Sequence, residues 1–286
     1  MNEAPDLAIV AARFVTFGLA MLLFGAAAFD LYAPAATLGT KPASSWRRAA
    51  AALLGLAALG YVALLAREAS GDPGWPSPDF IADIYTQTGF GLAFAVVQGA
   101  AVALALLPAS PRWRWTRLVL SGAAAVAFAF VGHGADDIGP RGGLRLLLLG
   151  AHLLAVGAWL GALPGLYRAL APGGAERLAL LRRFGIVGAI CVAAVVATGV
   201  GTLIFVVITA GGRLGSAYFT ALFVKLSFVF ALLCVAAINR FWLTPKLKRD
   251  PNHARRALRR TIVLEQALGL GALASVAVLG QLDPTM

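Results

Sequence analysis

Eight long apolar runs, separated by short polar segments, constrain this chain more than any other feature of its sequence. A transmembrane helix needs about 20 predominantly apolar residues, and most of the runs reach that length. Proline, glycine or charged residues mark their ends, and the alternating ten-residue pattern of an outer-membrane barrel is absent. We therefore predict an all-α, polytopic membrane helix bundle of about eight transmembrane helices. It forms a single transmembrane domain over residues 1–286, with spans at about 8–31, 49–66, 84–107, 117–132, 144–170, 185–209, 219–243 and 261–280.

The composition indicates what covers this apolar surface. Hydrophobic residues make up 60% of the chain and charged residues 13%, whereas a soluble domain has about half apolar and a quarter charged residues. One core cannot bury that excess, and no segment between the runs is long enough to fold alone. The lipid bilayer is therefore an obligatory partner of the chain.

The net charge of +11 reflects membrane topology and does not indicate nucleic-acid binding. Basic residues are concentrated in alternate loops, which marks those loops as cytoplasmic, whereas the opposite loops collect acidic residues. We predict a multi-pass protein of the bacterial inner membrane with both termini periplasmic. The four basic loops hold 18 of the 24 lysines and arginines: Lys41, Arg47, Arg48, Arg112, Arg114, Arg117, Arg168, Arg177, Arg182, Arg183, Arg240, Lys246, Lys248, Arg249, Arg255, Arg256, Arg259 and Arg260.

Catalytic arrangements are missing from the sequence. Cys191 and Cys234 both lie inside apolar runs, so we interpret them as packing residues and not as a disulfide or zinc motif. No loop combines a nucleophile with a base, and no glycine-rich phosphate-binding turn precedes a helix. We predict that the protein is not an enzyme.

A few ionisable residues within the runs are the functional candidates, because burying such groups in a bilayer is costly. His152 lies about 12 Å into the fifth run, and Lys225 lies about two turns into the seventh. His133 ends the fourth run, whereas Asp30 ends the first run and Glu265 opens the eighth. Each also has a structural alternative: a helix–helix hydrogen bond, an interfacial position, snorkelling of the lysine, or pairing of the acids with nearby arginines.

Short motifs in the second half resemble, in order and spacing, those of the copper resistance protein D (CopD) family. The resemblance is good over roughly 130–280 and thin over 1–80. Gly185 stands where the family has a serine, and Gln98 where it has an arginine. The matching positions are an H-x6-W-x-G-x-L motif that starts at His152, Arg183-Phe184, Thr198-Gly199, Lys225, an N-R-x-x-L-x-P motif that starts at Asn239, and Glu265, with weaker matches at Thr88-Gly89-Phe90-Gly91 and Gly132-His133.

The resemblance implies a protein that handles copper, through import from periplasm to cytoplasm or through copper tolerance. It also implies a small periplasmic copper-binding protein (CopC-like) as partner. The expected metal residues are His133 and His152, with Asp136 and Asp137 as cation-gathering acids at the outer mouth. Transporters of Cu(I) usually present methionine or thiolate ligands, but the chain has only three methionines. Such a site therefore favours Cu(II) or is completed by a partner.

Two other functions stay open at this point. An H-x6-W context also resembles membrane proteins of haem metabolism, and two imidazoles on adjacent helices can ligate haem. A haem-binding membrane oxidoreductase is therefore one alternative. A scaffold or sensor without a transported substrate is the other.

The two histidines set a geometric condition for one shared metal ion. The runs that carry His133 and His152 are joined by about ten residues, which makes them antiparallel neighbours. Ideal helices would place the two imidazoles about 12 Å apart along the axis. We expect either that the segment around His133 folds back into the bundle or that the two histidines bind the ion at successive positions along its path. We also expect Lys225 to be paired within the bundle.

Overall fold

Helices coincide with the apolar runs of the sequence. The computed structural model describes residues 5–33, 44–71, 74–108, 110–131, 139–170 and 177–285, and all regular structure within these ranges is helical. This confirms the predicted all-α membrane bundle. The helices are α1 (Leu7–Tyr32), α2 (Ser44–Ser70), α3 (Pro78–Gln87), α4 (Gly89–Leu106), α5 (Arg114–Ala127), α6 (Pro140–Leu160), α7 (Leu163–Ala169), α8 (Arg177–Thr209), α9 (Ser216–Ile238), α10 (Thr244–Lys246) and α11 (Pro251–Leu279).

Seven helical segments within the described residues are long and apolar enough to cross a membrane. The difference from the expected count of about eight lies in the run 117–132. Here α5 continues as a 3₁₀ turn over Phe128–Phe130, and together they extend about 27 Å. That is slightly less than the roughly 30 Å of a bilayer core. α5 nevertheless packs against α1, α4 and α6 and belongs to the bundle.

The predicted run 84–107 is divided in two by a helix cap. α3 ends before Thr88, whose Oγ1 accepts a hydrogen bond from the Gly91 backbone N–H at 2.9 Å and caps α4. A Cβ built on Gly91 would overlap the carbonyl oxygen of Ile84, so a glycine is needed at this bend. The membrane-spanning part of this run is α4 alone.

The N-terminal helix α1 is central in the bundle. It packs against α2, α5, α6 and α11. Its contact with α6 is close enough that a Cβ built on Gly161 would overlap the carbonyl oxygen of Met21, and a Cβ on Gly25 would overlap that of Gly157. Glycines at both sides of a crossing let two backbones approach, which is how small residues stabilise helix pairs in membranes.

Helices α8 and α9 are peripheral. α8 packs mainly against α6 and α9 mainly against α11, whereas α8 and α9 make little direct contact with each other. Leu232 is the only buried residue of α9. The remaining surface of both helices is apolar and suits lipid, with exposed side chains that include Ile186, Ile190, Val200, Ile204, Ile208, Phe219, Phe223, Leu226 and Phe230.

The basic loops gather at one end of the bundle. Arg183 donates to the Tyr32 carbonyl oxygen at 3.1 Å, and Arg240 donates to that of Gly185. Arg47 forms an ion pair with Asp30. We call this the basic end, and its existence agrees with the loop charges of the sequence.

The first and last long helices meet at the opposite end. Arg13, near the start of α1, donates to the carbonyl oxygen of Gly280, just after α11, at 3.4 Å. The described parts of both chain ends therefore lie on the side away from the basic end. Which side faces the periplasm stays a prediction from the charge distribution.

Candidate functional site

His152 lies near the middle of its membrane-spanning segment. It is twelve residues after Pro140, the first residue of α6, or about 18 Å along the axis. The sequence had predicted about 12 Å because the apolar run begins only at 144, whereas the helix begins before it. The half-buried imidazole is therefore deeper than expected.

The imidazole is held by α8. Its Nδ1 lies 3.0 Å from the Thr198 Oγ1, and that hydroxyl donates its own hydrogen to the Ala194 carbonyl oxygen at 2.5 Å. Since the hydroxyl hydrogen is used, Oγ1 accepts from Nδ1–H. This tautomer leaves the lone pair of Nε2 available to a ligand.

Gly199 makes room for the ring beside Thr198. A Cβ built at this position would lie 3.5 Å from Cε1 of His152, in van der Waals contact. A side chain that extends beyond Cβ would therefore meet the imidazole. The Thr-Gly pair of α8 thus supplies both a hydrogen-bond acceptor and a surface on which the ring rests.

Lys225 approaches the same imidazole from α9. It follows Ser216, the first residue of α9, by nine residues, or about 14 Å, which is a depth similar to that of His152. Its half-buried ammonium lies within electrostatic range of the imidazole. Within the described residues, Lys225 has no carboxylate partner and no hydrogen bond, so the expected pairing is not found there.

A hydrophobic cluster lies two turns below the imidazole. Trp159 follows His152 by seven residues and is on the same face of α6. It is 3% exposed and packs with Cys191 of α8 and Leu232 of α9. Cys191 is thus a packing residue, as expected, whereas Cys234 is exposed on α9. The cluster separates the polar site around His152 from the basic end.

A second polar group lies between this cluster and the basic end. Glu265 of α11, 3% exposed, accepts a hydrogen bond from Asn239 Nδ2 at 2.9 Å. Thr261 donates to Asn239 Oδ1 at 2.5 Å. Asn239 begins a π-helical turn, Asn239–Leu243, that ends α9. Glu265 and Asn239 are recognisable from the sequence, but Thr261 is not, because a threonine within a helix carries no distinctive pattern.

The other predicted site residues divide into two groups. His133, Asp136 and Asp137 lie in 132–138, outside the described residues, so a site shared with His152 stays a prediction. Asp30 lies at the basic end and forms an ion pair with Arg47. This is the structural role, pairing with a nearby arginine, that the sequence left open for Asp30. Across the part of the chain that the structure describes, no group of three His, Cys, Asp or Glu side chains could hold a metal ion.

Comparison with known proteins gives matches over nearly the whole chain. A family model described as "Copper resistance protein D-like, N-terminal domain" matches residues 1–144, and one described as "Copper resistance protein D" matches residues 178–279. A relative named Copper resistance protein D, from Pseudomonas syringae pv. tomato, is 32% identical over 304 residues, which cover 97% of each chain. No solved structure matches.

Proposed function

Because this chain belongs to the copper resistance protein D family, we propose that it is a copper-handling membrane protein that takes copper ions inward through a site at His152. The family name supports a role that involves copper and a membrane. Import from periplasm to cytoplasm, and copper tolerance as its physiological outcome, are the finer parts of the proposal. The bacterial inner membrane is the proposed location.

The state of His152 is the observation that carries the proposal. Metal-ligating histidines usually donate their second ring N–H to an acceptor, which fixes the tautomer and orients the ring. Thr198 provides such an acceptor, and Nε2 stays free. Neutral imidazole is a good copper ligand, and a histidine in the middle of a membrane segment is costly without a purpose.

One imidazole does not complete a copper site, so further ligands must come from elsewhere. The segment 132–138 directly precedes α6 and contains His133, Asp136 and Asp137. We propose His133 as the second ligand or as an earlier position on the path, with the two aspartates gathering cations at the mouth. A CopC-like periplasmic protein is the proposed donor of the ion.

Lys225 suits a site that releases its ion. A cation within electrostatic range of the imidazole lowers the affinity for a second cation. Transport requires binding that is weak enough to reverse, whereas storage does not. The lysine therefore favours transient occupancy of His152 during transfer.

Copper content of the purified protein tests the proposal. Wild type should retain copper after dialysis, and His152→Ala should lose it, while His133→Ala should weaken retention or slow loading. His253→Ala is the matched control, since His253 is an exposed residue in the first turn of α11. Reconstituted vesicles should take up copper with wild type and with His253→Ala, and should not with His152→Ala.

Two results would redirect the proposal. Stoichiometric haem with an intense Soret band would support the haem-binding oxidoreductase. Full copper retention by the His133→Ala/His152→Ala double variant would show that neither histidine is a copper ligand. That result would favour the scaffold or sensor.

A further inference from the structure

A small cavity at the basic end is lined by both apolar and cationic side chains. Leu23 and Ala27 of α1 and Leu104 of α4 form its apolar wall, and Arg47 of α2 and Arg117 of α5 are its charged lining. Its volume is about 20 Å³, which is space for one water-sized group. It lies at the end of the bundle away from His152, so copper binding does not explain it.

The two arginines keep hydrogen-bond donors unused. Arg47 places Nη1 and Nη2 on the Asp30 carboxylate at 2.5 and 2.8 Å. Arg117 donates from Nη1 to the carbonyl oxygens of Pro108 and Ser110, both at 3.2 Å. In the described part of the chain, the Nε atoms of both arginines are buried without a partner. Buried donors of this kind cost free energy unless an acceptor arrives.

Trp46 adds a third donor and links the cavity to more positive charge. Its Nε1 is likewise buried without a partner among the described residues. The guanidinium groups of Arg47 and Arg168 lie over its ring, at 5.4 and 5.2 Å from the centroid. Asp30 is the one carboxylate that pairs here with these cations within the described ranges. The region therefore has excess positive charge together with unused hydrogen-bond donors. A bound anion would neutralise the charge and accept hydrogen bonds from these donors.

The position of the arginines indicates where that anion comes from. Arg47 and Arg117 are each the fourth residue of their helices, next to the apolar segments. This is the depth at which lipid headgroups meet a transmembrane bundle, and tryptophans such as Trp46 are enriched there. Basic pockets between transmembrane helices bind anionic headgroups. Arginine presents a planar set of donors that matches phosphate.

From this geometry we propose that the cavity and its mouth bind the phosphate group of an anionic phospholipid. The cavity takes one phosphate oxygen, and the remainder of the group lies at the mouth between Arg47 and Arg117. The acyl chains remain in the bilayer outside the bundle. The lipid joins α1, α2, α4 and α5 at the basic end and is independent of the copper site.

Binding by the full-length protein in detergent tests this proposal. Native mass spectrometry and thermal unfolding would be measured with phosphatidylglycerol, with zwitterionic phosphatidylcholine and with inorganic phosphate. We expect phosphatidylglycerol to remain bound and to raise Tm, with at least about tenfold weaker binding of phosphatidylcholine. Arg117→Gln should reduce phosphatidylglycerol binding by about tenfold, and Arg114→Gln, an exposed neighbour on α5, should not.

Three outcomes would overturn the proposal. Equal binding of the two lipids by wild type would remove the anion preference, and this comparison needs no variant to fold. Equal phosphatidylglycerol binding by Arg117→Gln and wild type would remove the site. A rise in Tm with inorganic phosphate and none with phosphatidylglycerol would show that the anion is not a lipid. Arg117→Gln is preferred to Arg47→Gln because the latter would leave Asp30 unpaired.

Discussion

The Nδ1 atom of His152 and the Oγ1 atom of Thr198 lie 3.0 Å apart and join α6 to α8. This contact orients the imidazole, so its removal should weaken copper binding without removing the ligand. We expect Thr198→Val to lower copper affinity by about 10- to 100-fold, the usual effect of losing such an orienting partner. Isothermal titration of purified protein measures it.

Two further variants make this prediction specific. Thr198→Ser keeps the hydroxyl and should keep near wild-type affinity. Thr202→Val, one turn further along α8, removes a hydroxyl that donates only to the Thr198 carbonyl oxygen and should have little effect. Equal losses in all three variants would point to general damage of α8.

The charge of Lys225 should oppose copper at His152. Lys225→Met removes a cation within electrostatic range of the imidazole, so we expect copper affinity to rise by roughly tenfold. Release into the opposite compartment should slow accordingly. Lys225→Arg retains the charge and serves as control, and a weaker affinity in Lys225→Met would mean that the lysine supports the site.

The crossing of α1 and α6 should not accept even a methyl group. Gly161→Ala would force a Cβ against the carbonyl oxygen of Met21, and we expect a loss of about 1–3 kcal/mol or more in stability. Gly60→Ala is the control, since a Cβ there has no neighbour within 4 Å. Thermal unfolding in detergent compares them, and equal Tm values would show that the helices can separate at no cost.

The buried carboxyl of Glu265 should matter through its hydrogen bond to Asn239. Glu265→Leu leaves the Asn239 amide without its acceptor, at a cost of about 1–3 kcal/mol. Glu265→Gln keeps an acceptor oxygen and should be close to wild type in Tm. Copper uptake by the stable Glu265→Gln variant then shows whether the carboxyl has a further role, because glutamine can neither ionise nor exchange a proton as a carboxyl does.

Membrane orientation can be measured by labelling single cysteines introduced into a variant that lacks Cys191 and Cys234. A membrane-impermeant thiol reagent should label Ser77→Cys in intact cells, since Ser77 lies on the side opposite the basic loops. Ser110→Cys, in the loop before α5, should stay unlabelled until the membrane is opened. The reverse pattern would place the basic end outside.

Much of the bundle follows from sequence because membrane helices are encoded locally. The lengths of the apolar runs predict the number of membrane-spanning helices to within one. α5 is shorter than a bilayer core only because its run is brief and ends in a 3₁₀ turn. Helix periodicity likewise places His152 and Trp159 on one face of α6. Helix starts are predicted less accurately where a polar residue such as Arg141 precedes the apolar run.

The partners of the site residues could not be predicted, because they depend on which helices pack together. Thr198-Gly199 was found as a short motif, but nothing in the sequence places it against His152. Asn239 and Glu265 are 26 residues apart and meet only because α9 packs on α11. Family resemblance named these positions, and the structure supplies their contacts.

The central position of α1 has a consequence for biogenesis. Helices enter the membrane in chain order, yet α1 packs against both α2 and α11, so the helix inserted first is among the last to be fully covered. Until α11 arrives, Arg13 lacks the carbonyl oxygen of Gly280 as acceptor and keeps only its contacts within the first two helices, such as the Phe17 ring. A nascent chain interrupted before Pro251 would thus leave the side of α1 that faces α11 open to lipid.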